Sequence, residues 1–355
     1  MGKTGCHGNH YACTFSNLLC FFTPGETRIS IVKKILHTAS YTGTPWDILR
    51  SVIPDGFCVE TLDSLNRECL LRQALDADYF LVSGRLSIDE EVLAAAPHLK
   101  MIQRTGVGTE MLDLSAIKQH GIPVYVNAGV NAQSVAEHTL TLMLACLKQL
   151  PRINKRTHSG VWEKQASGLQ TRELSGKTVG LVGMGNIGRI VSRMLNAFGA
   201  NVIYTDVIRQ SETVEKDLHL TYFPTFEEML PKVDILSFHC PLTADNVEVL
   251  NARTLSMMKP GAVVVNTARG KLINPDDLYD AIISGRIPSA GLDTHYEEPI
   301  NEGYKLLGME NVILTPHIGG LSFEAFHSMM KGAMDNIVAF EYGQLDQIEG
   351  KRLKF

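Results

Sequence analysis

From about residue 30 the chain alternates short, continuously apolar runs with stretches in which apolar residues recur at helical spacing. Ile31 to Leu36, Phe57 to Glu60, Tyr79 to Ser83, Lys100 to Gln103 and Ile122 to Val126 predict a first set of strands, with amphipathic stretches at Leu62 to Leu75 and Ile88 to Ala95 between them. A long helix, Ala132 to Leu150, carries Val135, Ala136, Leu140, Met143, Leu144 and Leu147 as one packing stripe. A second series of strands follows: Thr178 to Val182, Asn201 to Thr205, Leu220 to Phe223, Val233 to His239, Ala262 to Thr267, Ser289 to Asp293 and Val312 to Thr315. A last helix, Phe323 to Tyr342, sets Phe326, Met329, Met330, Ala333 and Ile337 on one side.

Strands that alternate with helices predict parallel sheets covered on both faces, hence an α/β fold. Two such series predict two doubly wound domains with a cleft between them. The expected boundaries are residues 1–127 for the first domain, 128–319 for the second, and 320–355 for a final helix that returns to the first domain. Residues 1–28 form an extension outside this pattern.

Composition narrows the class. With 355 residues, 45% of them hydrophobic and 20% charged, the chain describes an ordinary globular protein of two domains. A net charge of -5, with no basic block, gives no reason to expect nucleic acid. Seven cysteines, an odd number, argue against a disulfide framework and for a reducing, cytoplasmic setting. No apolar run approaches the roughly twenty residues that span a bilayer, so no membrane partner is expected. Cys6, Cys13 and Cys20 are evenly spaced, with His7 and His10 between the first two. Structural zinc sites use tighter cysteine pairs, and no metal is expected.

The chemistry starts at Gly183, Gly185 and Gly188, which stand at G-x-G-x-x-G spacing after a short apolar run and open a helical stretch whose face is Ile187, Ile190, Val191, Met194, Leu195 and Phe198. In a strand–turn–helix these glycines allow a sharp turn, a close approach of backbone to pyrophosphate and close packing of helix on strand. The next strand ends in Asp206, about twenty residues on, where a carboxylate accepts both ribose hydroxyls and repels a 2'-phosphate. The expected cofactor is therefore NAD, not NADP. Arg209 is read as a solvated charge. Ligands of open parallel sheets lie at the carboxyl ends of strands, and three such ends carry reactive groups: Arg269, then Asp293 with Glu297 and Glu298, then His317. Each alone is as ordinary as a surface ion pair or a loop histidine. Together, downstream of the glycines, they supply a guanidinium fork for a carboxylate, a proton carrier and an acid to tune it.

These motifs resemble the D-2-hydroxyacid dehydrogenases, from about residue 80 to 320. The glycine turn matches. So do an N-x-x-R-G at Asn266, Arg269 and Gly270, an L-D-x-x-x-x-E-P at Asp293, Glu298 and Pro299, and a T-P-H-x-G-G at His317. The resemblance implies a Rossmann NAD domain with a flavodoxin-like substrate domain, and a small anionic 2-hydroxy or 2-keto acid as substrate. It implies Arg269 for substrate binding, His317 as acid/base and Glu298 as its partner. It also implies cofactor contacts from Asn186, Ile187, Cys240, Pro241, Thr267, Ala268 and Asp293. Arg104 to Gly108 resembles the substrate loop, with Val107 and Gly108 holding the carboxylate. Asn131 and Ser134 to Glu137 resemble an interdomain helix start, and a homodimer through the nucleotide domain is implied. Phosphoglycerate enzymes of this kind carry an Arg-Ser pair where this chain has Ser83-Gly84 with Arg85 beside it, which makes Arg85 a substrate candidate and weakens 3-phosphoglycerate. A phosphite or other small-anion dehydrogenase and a non-catalytic NAD-sensing corepressor stay open as alternatives.

Overall fold

The computed structural model describes residues 18–20, 29–84 and 86–355. The chain divides into two compact units, one made of Met1–Ala128 with His327–Phe355, the other of Gly129–Phe326. Apart from a short strand, β1 (Leu18–Cys20), paired antiparallel with β2 (Ile29–Ile31), the N-terminal extension, with Cys6, Cys13, His7 and His10, lies outside the described residues.

The first unit holds a five-stranded parallel sheet: β3 (Lys33–His37), β4 (Phe57–Thr61), β5 (Tyr79–Val82), β6 (Met101–Arg104) and β7 (Val124–Tyr125). Its order is β4-β3-β5-β6-β7, the flavodoxin-like arrangement. Leu36, Phe80, Val82, Ile102 and Val124 are buried in the core of this unit, which is why these runs read as continuously apolar. The C-terminal helix, Phe323–Glu341, belongs to this unit from His327 onward. Its Phe340 ring packs edge-on against Tyr79 and Tyr125.

Asn336, fully buried on that helix, donates from Nδ2 to Gln103 Oε1 (3.1 Å) and Asn127 Oδ1 (3.1 Å), and its Oδ1 accepts from Lys351 Nζ (2.7 Å). Asn127 in turn donates to the Met329 carbonyl at 2.9 Å. A buried amide is tolerated because all its partners are present.

The second unit holds seven parallel strands, β8 (Thr178–Val182), β9 (Asn201–Thr205), β10 (Leu220–Tyr222), β11 (Ile235–Phe238), β12 (Val263–Asn266), β13 (Ser289–Leu292) and β14 (Val312–Leu314). Their order, β10-β9-β8-β11-β12-β13-β14, is the Rossmann order, and it reverses direction at β8. One face packs on helices Ala132–Leu147 and Asn186–Ala197 through Leu142, Met143, Val191 and Leu195. The other face packs on helices Ala252–Met257 and Pro275–Ile283 through Leu255, Leu278 and Ile282.

The apolar runs read as strands coincide with β3 to β14, with ends shifted by a residue or two. The helix expected to run from Ala132 to Leu150 ends instead at Leu147. Gln149 adopts φ 51, and a new helix, Leu150–His158, starts with a proline in its first turn. Pro151 lacks the N–H that a continuing helix needs and its ring would clash one turn back, so the chain turns before it.

Asn336→Ala is expected to strand Gln103 and Asn127 without their shared partner. It should cost about 2 kcal/mol, read as a lower urea midpoint with cofactor binding retained.

Candidate functional site

The second unit's strands run parallel, so their carboxyl ends share one edge, and the reactive groups sit on it. The turn after β8 is built by its glycines. At Gly183, φ 101, a Cβ would lie 2.8 Å from the His239 and Cys240 backbone. At Gly188 a Cβ would collide with the Gly183 carbonyl, so the helix can approach only as glycine. Gly185, by contrast, has open space where its Cβ would be. The helix Asn186–Ala197 that it caps has no side-chain cap, which leaves first-turn N–H groups for an anion. Gly185 and Asn186 are exposed and Ile187 is half-buried.

Asp206 follows β9 and accepts from Met184 N at 2.6 Å and Ile208 N at 3.2 Å, which fixes the carboxylate beside the glycine turn. Arg209 is not left as a free cation near it. Its guanidinium bonds twice to Glu215, at 2.9 and 2.8 Å, and lies over the Tyr222 ring. These features fit a dinucleotide: a backbone cradle with room for phosphate, and a carboxylate at the end of the next strand, held beside that cradle.

After β11 the chain turns through Cys240 and Pro241, the latter held by Asn246 Nδ2 donating to its carbonyl at 2.8 Å. Burial pushes the Cys240 thiol up to about 11, with the negative charge of Asp206 adding and the positive charge of Arg269 opposing. After β12, Asn266 folds back over the turn, accepting from Ala268 N at 3.0 Å and donating to the Arg269 carbonyl at 2.8 Å. Thr267, buried, shares a 2.8 Å hydrogen bond with Thr139. Gly270 lies directly on the backbone of His295 and Tyr296, with no room for a Cβ.

The loops after β13 and β14 meet. Glu298 Oε2 lies 2.8 Å from His317 Nδ1, and Glu298 Oε1 accepts from the His295 amide at 3.0 Å. Glu297, its neighbour, instead accepts from Asn301 Nδ2 at 3.2 Å. The bond to Glu298 raises the His317 pKa above its ordinary 6.5. Burial and the charge of Arg269 oppose the rise, and Asp293 adds to it. For Glu298, burial pulls upward, but the bonds from His317 and the His295 amide win and lower it below 4.5. His317 Nδ1 is thereby engaged, and its half-exposed ring keeps Nε2 for other work.

Asp293, 1% exposed, does not point to open space. Its Oδ1 accepts from Thr315 Oγ1 (2.6 Å) and Ile318 N (2.9 Å), its Oδ2 from Gly319 N (2.8 Å), and its carbonyl from His317 N (2.8 Å). In the first unit, Val107 is 53% exposed and Gly108 half-buried, in a loop tied down by Arg104 Nε donating to the Gly108 carbonyl at 2.6 Å. Arg85 lies outside the described residues. Reading the sequence by strand ends passed over His138 and Thr315. For His138 the signal was its i, i+4 spacing from Ser134 on one helix face, and for Thr315 its place at the head of the T-P-H-x-G-G run.

A Rossmann sheet with an open glycine cradle, and an imidazole–carboxylate pair on the same edge, define a nucleotide-dependent oxidoreductase domain. Residues 140–319 match the D-isomer specific 2-hydroxyacid dehydrogenase, NAD binding domain. The chain is 36% identical over 267 residues to hydroxypyruvate reductase of Thermotoga maritima, covering 75% of this chain and 85% of that protein. It is 35% identical over 285 residues to glyoxylate reductase of Pyrococcus furiosus, covering 79% and 84%. Among solved structures, D-lactate dehydrogenase from Aquifex aeolicus in complex with NAD and lactic acid is similar at a TM-score of 0.77 and 28% identity, covering 90% of this chain and 99% of that one. The chain belongs to the D-isomer specific 2-hydroxyacid dehydrogenases, and its cofactor is NAD.

The raised His317 and lowered Glu298 give the pair a defined pH window. Stability from the histidine is full below its ordinary 6.5 and fades as pH climbs through the raised value. Stability from the glutamate is present above its ordinary 4.5 and fades as pH falls through the lowered value. The stability difference between the native protein and Glu298→Gln is therefore expected to peak between those two values. Denaturation midpoints measured across pH check it, and a difference that is flat with pH would remove the ion pair from the account.

Proposed function

We propose that this protein interconverts a small D-2-hydroxy acid and its 2-keto acid. NAD, when bound, supplies or accepts the hydride at the substrate carbon. His317, held at Nδ1 by Glu298, gives a proton from Nε2 to the carbonyl oxygen in reduction and takes it back in oxidation. Glu298 keeps the ring oriented and more basic than a free imidazole. Arg269 forks onto the substrate carboxylate and polarises the adjacent carbonyl, with Val107, Gly108 and Arg85 as further substrate contacts. Gly183, Gly185, Asn186, Ile187, Gly188 and Asp206 hold the dinucleotide, and Cys240, Pro241, Thr267 and Ala268 line its nicotinamide end. The 2.8 Å contact between His317 and Glu298, with the charge of Arg269 close enough to bear on the ring, carries this reading.

We further propose a homodimer formed through the second unit. Helices Leu150–His158 and Lys164–Gly168 have no buried residues, and Trp162 and Leu169 beside them are 82% and 81% exposed. Apolar side chains so exposed on an arm of this kind suit a second copy. The odd cysteine count supports a reducing, cytoplasmic setting. Among the described residues no helix is long and apolar enough to cross a membrane.

Oxidation of NADH with glyoxylate, hydroxypyruvate and pyruvate tests the activity. Turnover of at least one is expected, and NADH binding without turnover of any would support a sensor in place of an enzyme. His317→Ala should lower kcat on the order of 10²- to 10⁴-fold while NADH affinity is kept. Reduction should also decline as pH rises through the elevated histidine pKa, because the proton to be donated is then absent. For the assembly, light scattering on Trp162→Lys is expected to show a shift toward monomer.

A further inference from the structure

The turn that carries His317 is braced from outside its own loop. His317 sits at φ 57, a left-handed conformation that a residue with a side chain holds only when its surroundings over-determine it. Helix Ala132–Leu147 supplies part of that determination. Ser134 and His138, four residues apart, face the turn together. Ser134 Oγ donates to the Gly319 carbonyl at 2.7 Å, and His138 Nε2 lies 3.0 Å from Thr315 Oγ1 and 3.3 Å from Asp293 Oδ1. A Cβ on Gly319 would itself press on Asp293 and on the His138 ring.

Proton counting orders this cluster. Thr315 has one hydroxyl proton and gives it to Asp293 at 2.6 Å. Nε2 of His138 must then be the donor to Thr315 Oγ1, with its proton shared toward Asp293. Asp293 fixes the backbone N–H groups of Ile318 and Gly319 and, through its own carbonyl, that of His317. Every bond between the His138 ring and the acid/base turn therefore runs through one carboxylate and one hydroxyl.

We propose that His138 is a positioning residue: by donating to Thr315 and Asp293 it sets where the His317 ring stands relative to Glu298, and so how the enzyme's proton donor performs. This rests on His317 being the acid/base. The charged groups that face His317 are Glu298, Asp293 and Arg269, from the loops after β13 and β12. His138 reaches it only through Asp293 and Thr315.

The test uses the full chain and NADH oxidation with glyoxylate as probe, or with hydroxypyruvate where that is turned over faster. His138→Ala is expected to lower kcat about ten- to a hundred-fold, the scale set by a misplacement near 1 Å. The alkaline limb of the pH profile should move to lower pH as the Glu298 contact loosens, with KM for NADH unchanged. His138→Gln, which restores an N–H donor, should recover most of both effects. Thr315→Val, which removes the shared hydroxyl, should reproduce the shift and serves where His138→Ala does not fold. A pH limb that stays in place in these variants, whether kcat falls along with thermal stability or does not fall, overturns the proposal. His317→Ala is run beside them. If it keeps turnover, the acid/base reading itself fails; if it loses turnover while the His138 and Thr315 variants keep the native limb, only the positioning role fails.

Discussion

Seven parallel strands put seven carboxyl ends on one edge of a sheet, and the chemistry of the second unit depends on that constraint. Glycine turn, ribose-side carboxylate, guanidinium, glutamate and histidine are spread over a long stretch of chain from Gly183 to His317, yet each follows a strand of the same sheet. The reversal of order at β8 adds the second requirement. The turn after β8 is flanked by the ends of β9 and β11, and Gly183 lies against the backbone after β11, where any Cβ would be in contact. A nucleotide site at this point is a consequence of topology before it is a consequence of particular side chains.

Much of this was legible in the sequence because parallel strands are buried on both faces and so read as unbroken apolar runs. Val263 to Val265 and Ile235 to Phe238 admit no other reading once glycines and helical spacing flank them. The catalytic candidates were legible for a related reason: polar residues that end such runs have one edge to occupy. Asn266 shows how a motif becomes geometry. Its amide closes over the turn to Arg269 with one bond accepted at Oδ1 and one donated from Nδ2, where an ionised carboxylate of the same size could only accept.

What the sequence hid depends on contacts between segments that carry no shared signal. The break at Gln149 was overridden by an apolar stripe that continues across it, although Pro151 marked the place. Short helices such as Glu212–Asp217 and Ala252–Met257 present too few turns for their spacing to stand out. Asp293 was harder. As a carboxylate at a strand end beside the other reactive groups it reads as a cofactor contact, and its bonds to Thr315 and to the Ile318 and Gly319 amides appear only once the chain is folded. The network through Asn336 was invisible for the opposite reason, since a single polar residue inside an apolar helix face looks like an interruption of the pattern.

Asp293 and Glu298, both after β13, show how environment divides labour between identical groups. Asp293 is buried, and burial by itself would push it toward the neutral form. Hydrogen bonds from His138 and Thr315 and from the Ile318 and Gly319 amides reverse that and hold it well below the usual carboxylate range. A charge so fully bonded adds less to the His317 ring than Glu298 does, but it can pin a backbone. Glu298 is only partly buried and makes one side-chain and one backbone bond, so its charge remains available to the His317 ring. The left-handed turn at His317 is pinned by the first carboxylate, and the ring is tuned chiefly by the second. The two stay linked, because where the turn holds the ring decides its contact with Glu298, and this bracing lets a proton carrier sit on an exposed loop and still keep a fixed position.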